Sequence, residues 1–247
     1  MGAPGVLSDP GRAEDWEDAQ RLADQACRKA EKVAPGLHVR SEVITDGAAA
    51  TLIERSAEAG LVVLGKRGRG GFRGLLAGSV ALQVAGHAAC PVVIVHAGWR
   101  PPINDRAIVV GVGSDTVLRE AFAEAELRGV RLRAVRAWQP LVAAGPTGMV
   151  PMGTTIAEIE RNEQSRLSQA LEPWREEYPH VRVLESIVCD RARHALIEES
   201  RNAELLVIGA REHWGTHALA LGTTAHAIVH HVDCPILIAR DRPQPSA

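Results

Sequence analysis

Aromatic side chains make up only 3% of this chain. A core with so few rings has to be filled by Val, Leu, Ile and Ala, which suits a parallel sheet buried on both faces by helices. Cysteine is scarce too: Cys27, Cys90, Cys189 and Cys234 are the four, and none forms a CxxC pair. They read as buried or inert thiols. Neither sign of charge dominates. The net charge is −2 with no long single-sign run, which argues against the basic face of a dedicated nucleic-acid binder. No apolar run approaches the ~20 residues a membrane span needs. The opening segment, MGAPGVLSDPGRAEDWEDAQ, has neither a basic start nor an apolar core, so it is no secretory signal. We therefore expect a cytoplasmic protein, without a nucleic-acid or membrane partner.

What the sequence does contain is a folded soluble balance, 46% hydrophobic and 23% charged over 247 residues, and an internal repeat. At an offset of 144, Asp46 falls on Asp190, Ser56 on Ser200, Gly65 on Gly209, Gly78 on Gly222 and Cys90-Pro91 on Cys234-Pro235. Nineteen of the 51 positions from 46 to 96 are identical to their partners from 190 to 240, without a gap. Such a match at fixed offset marks a duplicated structural unit, too long for a solenoid repeat. Residues 98–102, Gly-Trp-Arg-Pro-Pro, read as a linker. We expect domains over 1–99 and 104–240, and a flexible tail over 241–247.

The second copy reads as five strands with intervening helices. Strands are expected over 107–112, 130–138, 181–188, 205–208 and 236–239, from short apolar runs bounded by turns. The alternation of Arg with apolar residues over 130–138 predicts a strand with one wet face. Helices are expected over 116–127, 155–177, 192–202 and 223–231, with Pro173 kinking or splitting the second. The first copy begins late: a helix over 15–33, a strand over 37–44, a helix over 48–59, then strands over 61–64 and 92–95. Nothing before Asp15 supplies its first two strands, so it reads as truncated unless Met1 is not the natural start. Strand 37–44 is then expected to pair directly with 61–64, making a three-stranded half. Alternating strands and helices mean parallel βαβ units with right-handed crossovers, whose ligands bind beyond the carboxyl ends of the strands. That places the candidate site at 111–115 and from Gly209 onward. Strands 92–95 and 236–239 are short apolar edges that invite pairing with each other.

One loop carries chemistry. After strand 61–64 the chain reads Gly65-Lys66-Arg67-Gly68-Arg69-Gly70-Gly71-Phe72-Arg73-Gly74, and Gly78-Ser79-Val80 then opens a helix. Glycines let a backbone approach a ligand closely. Four cations and a helix N-terminus favour an anion, and Ser79 is placed to cap the helix or donate to a phosphate oxygen. The pattern is neither of the common phosphate fingerprints.

Gly65-x2-Gly68-x9-Gly78-Ser79, with the lead-in Val62-Val63-Leu64 and the later Cys90-Pro91-Val92, resembles the nucleotide motif of the universal stress protein family. The resemblance covers residues from about Asp15 to Arg240, twice. It implies an α/β fold, a doubly wound five-stranded parallel sheet in the second copy and an incomplete one in the first. It also implies dimeric assembly through strand five, and ATP as ligand in one branch of the family. By that resemblance Gly65, Gly68, Gly78, Ser79 and Val80 hold phosphates and ribose, Ile44 sits near adenine, and Gly209, Gly222 and Thr223 are the second copy's counterparts. Two departures weaken the expected binding. The family's first strand ends in Val-Asp-Gly-Ser, whereas this chain has Val112-Gly113-Ser114-Asp115, with the acid missing or displaced. Glu212 replaces the loop's second glycine in the second copy, adding bulk and repulsion toward a polyphosphate.

His226 and His230 share a helix face, but no third metal ligand is evident, so no metal is expected. His87 and His231 recur before Cys-Pro and read as helix-ending residues. Trp99, Trp138 and Trp174 read as packing residues, and Glu54 and Glu198 as solvated surface. No catalytic triad or carboxylate pair is placed at the site, so a non-enzyme is expected. The leading expectation is an adenine-nucleotide-binding module of stress signalling, with weakened ATP binding. The alternatives are a structural protein that self-associates through strand five, as a homo-oligomer, and a weak ATP hydrolase.

Overall fold

The computed structural model describes residues 10–45, 47–66, 77–103, 106–139, 155–210 and 221–240. The chain divides into two compact units, Met1–Ala48 and Ala49–Ala247.

The first unit contains helix α1 (Pro10–Val33), followed by residues 34–45 without regular structure. None of its residues of described burial is buried, and Leu37 and Ile44 are 55% and 39% exposed. The expected strand over 37–44 is therefore corrected, and with it the three-stranded first half. The reason lies in pairing. The counterpart of this segment is strand β5 (Val183–Cys189), an edge strand whose ladder runs wholly along β4 (Arg131–Trp138). The first copy has no counterpart of β4 among the described residues, and an apolar run without a neighbour does not hold as a strand.

The second unit is a seven-stranded sheet. Its remaining strands are β1 (Val62–Gly65), β2 (Val92–Val95), β3 (Ala107–Gly111), β6 (Leu205–Gly209) and β7 (Ile236–Ala239). The order is β1-β2-β7-β6-β3-β4-β5. Every neighbouring pair is parallel except β2 with β7, which run antiparallel where the two copies meet. The second copy thus has five strands, as its sequence predicts, and the first contributes two.

Helices α2 (Ala48–Arg55), α3 (Ser79–His87), α6 (Ala192–Glu199) and α7 (Thr223–His231) supply residues to one core, against Val62, Ile94, Leu206 and Ile236. Helices α4 (Asp115–Arg128) and α5 (Ile156–Glu177) bury the opposite face through Phe122, Leu167 and Leu171. Most of the few aromatics of that layer gather there: Phe122 lies 6.2 Å from Trp174 and 5.6 Å from Tyr178 between ring centroids. Over β1 this layer is thin, and Val63 is 58% exposed.

Local sequence explains the elements. Thr155 and Glu158 form a reciprocal capping box at the start of α5, which satisfies two otherwise orphan donors. Helix α5 continues through Pro173, so of the two expected outcomes, a kink or a split, the split does not occur. Gly129 ends α4 with φ of 60°, a left-handed cap that costs least at glycine. The arginines of β4 are half-buried, and two of them are held by carboxylates. Arg133 pairs with Glu199 at 2.9 Å and Arg136 with Glu163 at 2.5 Å. Ser56 and Ser200, matched across the copies, are both 1% exposed and both donate to a carbonyl three residues back. Among the described residues no helix is long and apolar enough to cross a membrane.

Candidate functional site

The carboxyl ends of β3, β4, β6 and β7 open into one cleft of about 700 Å³. Its floor is Gly111, Ile208 and Gly209, and its walls come from the first turn of α4, from α6 through Ala192 and Leu196, and from residues 135–137 of β4. Gly111 lies close under α6: a Cβ there would meet the tip of the Leu196 side chain, Cδ1 at 2.9 Å, and Leu196 would have to shift. That close approach lets α6 seat on the strand end.

The charge of this cleft follows from one shift in sequence. Val112 and Gly113 line it where the family pattern has Asp-Gly. Asp115 lies instead in the first turn of α4, where the helix macrodipole favours an anion. Among the described residues that line the cleft, the charged ones are Arg136 and Arg240 and none is a carboxylate. Arg136 is steadied by Glu163 and Arg240 by the Ala85 carbonyl. The start of α4 faces the same space through Ser114 and Thr116, and a helix start favours an anionic ligand.

The entry and exit of each glycine loop are built alike in both copies. Gly78 N–H donates to the Lys66 carbonyl at 2.9 Å, and Gly222 N–H donates to the Ala210 carbonyl at 2.8 Å. Each bond closes the loop at its base, between strand end and helix start. Gly65 ends β1, and Gly78 is the N-cap of α3. Ser79 is the first helical residue and makes no capping bond, so its expected capping role is corrected. Val80 is 36% exposed in the same turn. Gly209 ends β6 and lines the cleft; Gly222 caps α7 and Thr223 begins it, and neither lines the cleft. Gly68 and Glu212 lie outside the described residues. Ile44 belongs to the other unit, in its irregular segment.

Lys66, counted from sequence among the loop's cations, has another task. Its Nζ donates to the carbonyls of His230 at 3.0 Å and Val232 at 3.4 Å, at the end of α7 in the other copy. Arg240 mirrors it by donating to Ala85 near the end of α3. Each copy thus sends a cation onto the C-terminal carbonyls of its neighbour's last helix, where positive charge is favoured. Beside this junction the rings of His226 and His230 lie 4.7 Å apart. Burial, then the nearby His226, His231 and Lys66 charges, hold His230 below the usual imidazole pKa. Among the described residues no group of three or more His, Cys, Asp or Glu is placed to hold a metal ion. The buried Cys234 thiol is pushed up to about 12 by desolvation, which leaves it unreactive.

Sequence reasoning found the strand-end glycines but missed the contributions of β4, Ala192 and Arg240. These come from segments far apart in the chain and carry no local motif.

Comparison with known proteins agrees with this architecture. The universal stress protein family profile matches residues 2–96 and 106–240. A universal stress protein of Mycobacterium tuberculosis is 33% identical over 230 residues, covering 90% of this chain and 75% of that protein. Another, from Mycolicibacterium smegmatis, is 30% identical over 255 residues, covering 97% and 85%. The crystal structure of a universal stress protein from Archaeoglobus fulgidus superposes with a TM-score of 0.67 at 20% identity, over 95% of this chain and 83% of that one. That likeness concerns the fold.

Proposed function

Since the chain belongs to the universal stress protein family, we propose that it is a cytoplasmic stress-signalling module that binds ATP weakly, in the cleft of its second copy. The observation that carries this reading is the cleft itself. It is large enough for a nucleotide, it lies at the carboxyl ends of parallel strands, and its described lining residues include two arginines and no carboxylate. Ligands of open α/β sheets bind at such strand ends. A polyanion meets no like charge among the lining residues. The same absence weakens binding on the nucleoside side, because none of the described lining residues is an acid that could accept from the ribose hydroxyls. Glu212 in the adjoining loop works in the same direction by opposing the phosphates.

We assign binding rather than catalysis. Arginine stays protonated near neutral pH and cannot serve as a general base, and the described residues that line the cleft include no Asp, Glu or His. The strand pairing that the family makes between subunits is made here inside one chain, by β2 and β7. A single chain is then the functional unit. Calorimetric titration with ATP, alongside a phosphate-release assay, tests the reading. Weak 1:1 binding without turnover is expected; steady phosphate release would replace it with the hydrolase.

A further inference from the structure

A second concavity, of about 440 Å³, lies at the other end of the same strands. Its described lining includes Arg106, Arg131, Arg182 and His180, with Glu126 as the one carboxylate among those residues. The sheet register explains why the arginines meet. Leu132 is paired with Val183, so Arg131 and Arg182, one step earlier on adjacent parallel strands, share a rung. The Leu132 N–H donates to the Arg182 carbonyl at 2.9 Å, which fixes that rung. Arg106 stands one step before Ala107, which pairs with Arg131.

Like charges set side by side on neighbouring strands destabilise a sheet. Part of this charge is already offset. Arg106 holds the buried Glu204 with two bonds of 2.7 and 3.0 Å, and Arg128 reaches the same carboxylate at 3.4 Å. Glu126 lines the same pocket. The side chain of Arg182 is exposed and makes no hydrogen bond or ion pair among the described residues. The end of α4 also reaches this pocket, and its negative pole would oppose an anion. That pole is muted, because Gly129 N–H donates to the Glu126 carbonyl and Val130 N–H to the Ala125 carbonyl, both at 3.0 Å.

We infer that this lower pocket is a second binding site, for a small phosphate-bearing polyanion held between Arg131 and Arg182. Guanidinium forks match phosphate oxygens in pairs, and a dianion offsets the like charges that the register forces together. The site is separate from the nucleotide cleft, which lies at the opposite ends of the strands.

Inorganic pyrophosphate serves as the probe, titrated calorimetrically at low salt. The cleft is blocked with Ala192→Trp, at an exposed residue that lines it. We expect the Ala192→Trp protein to keep one pyrophosphate site. Adding Arg182→Glu should weaken that site about tenfold or more, and Arg182→Gln by a smaller factor. Loss of all binding in Ala192→Trp, or affinity unchanged by Arg182→Glu, overturns the inference. The unsubstituted chain gives an independent readout. Pyrophosphate should protect Arg182 from an arginine-modifying dicarbonyl, read by peptide mass, and an unprotected Arg182 overturns the inference equally.

Discussion

Val93 pairs with Leu237 across the antiparallel junction, and these two residues are counterparts, 144 positions apart in the repeat. The pseudo-twofold axis therefore passes through this pair. It exchanges Val92–Ile238 on one side with Ile94–Ile236 on the other. Strand edges that would template pairing with another chain are closed against each other. Lys66 and Arg240 then cross the junction in opposite directions to the helix ends of the facing copy.

The junction should behave as one packed unit. Ile94 and Ile236 are partners and both fully buried. Ile94→Ala and Ile236→Ala should each cost about 2–5 kcal/mol. Because they share one contact, the double variant should fall short of the sum by about 0.5–3 kcal/mol. Urea denaturation of the four proteins measures this; strict additivity would mean that the strands do not pack together.

The Lys66 contact gives a pH signature. His230 has its folded-state pKa lowered by burial and by neighbouring cations. The unfolded chain then takes up the proton more readily, so stability falls as pH drops through the unfolded value of about 6.5. Lys66→Met should remove about 1 kcal/mol at pH 8 by uncapping α7. It should also shrink the acid loss, since one repelling charge is gone. Thermal melts between pH 8 and pH 5 check both, and an acid loss that grows in the variant contradicts the assignment.

Much of this fold is legible in the sequence. The bounds of α7, β2 and β7 coincide with those expected, because Gly caps, Cys-Pro turns and short apolar runs are local signals. Residues 37–44 misled for a physical reason: alternation records a face to bury, while strand formation needs a neighbour, and no counterpart of that neighbour is found among the described residues. Lys66 misled similarly. Its place in a basic loop pointed to phosphate, but its partner carbonyl is 164 residues away. Arg240 and β4 joined the cleft by topology alone.

Edge position should set local stability. Among the described residues strand β1 is paired on one side only, whereas β3 is paired on both sides, with β4 and β6. Few buried contacts and an open edge lower the local opening energy. Hydrogen exchange should therefore be faster at Val63 and Leu64 than at Val109 and Val110. Equal or slower exchange in β1 would show that its outer edge is covered in solution.

The loop of the second copy offers a gain of function. Glu212→Gly removes a negative charge and a side chain from the segment that follows the cleft residue Ala210 in sequence, and should tighten ATP binding about threefold to tenfold. The effect should be larger at low ionic strength, since salt screens exposed charge. Titrations at two salt concentrations test this; an affinity unchanged at both would separate Glu212 from the phosphates.

The most direct test of the central claim is one calorimetric comparison, ATP titrated into the unsubstituted chain and into Ala192→Trp. A nucleotide cleft confined to the second copy predicts one weak site per chain in the first protein, and none in the second. Tight ATP binding that survives Ala192→Trp, or no ATP binding by the unsubstituted chain, would contradict it.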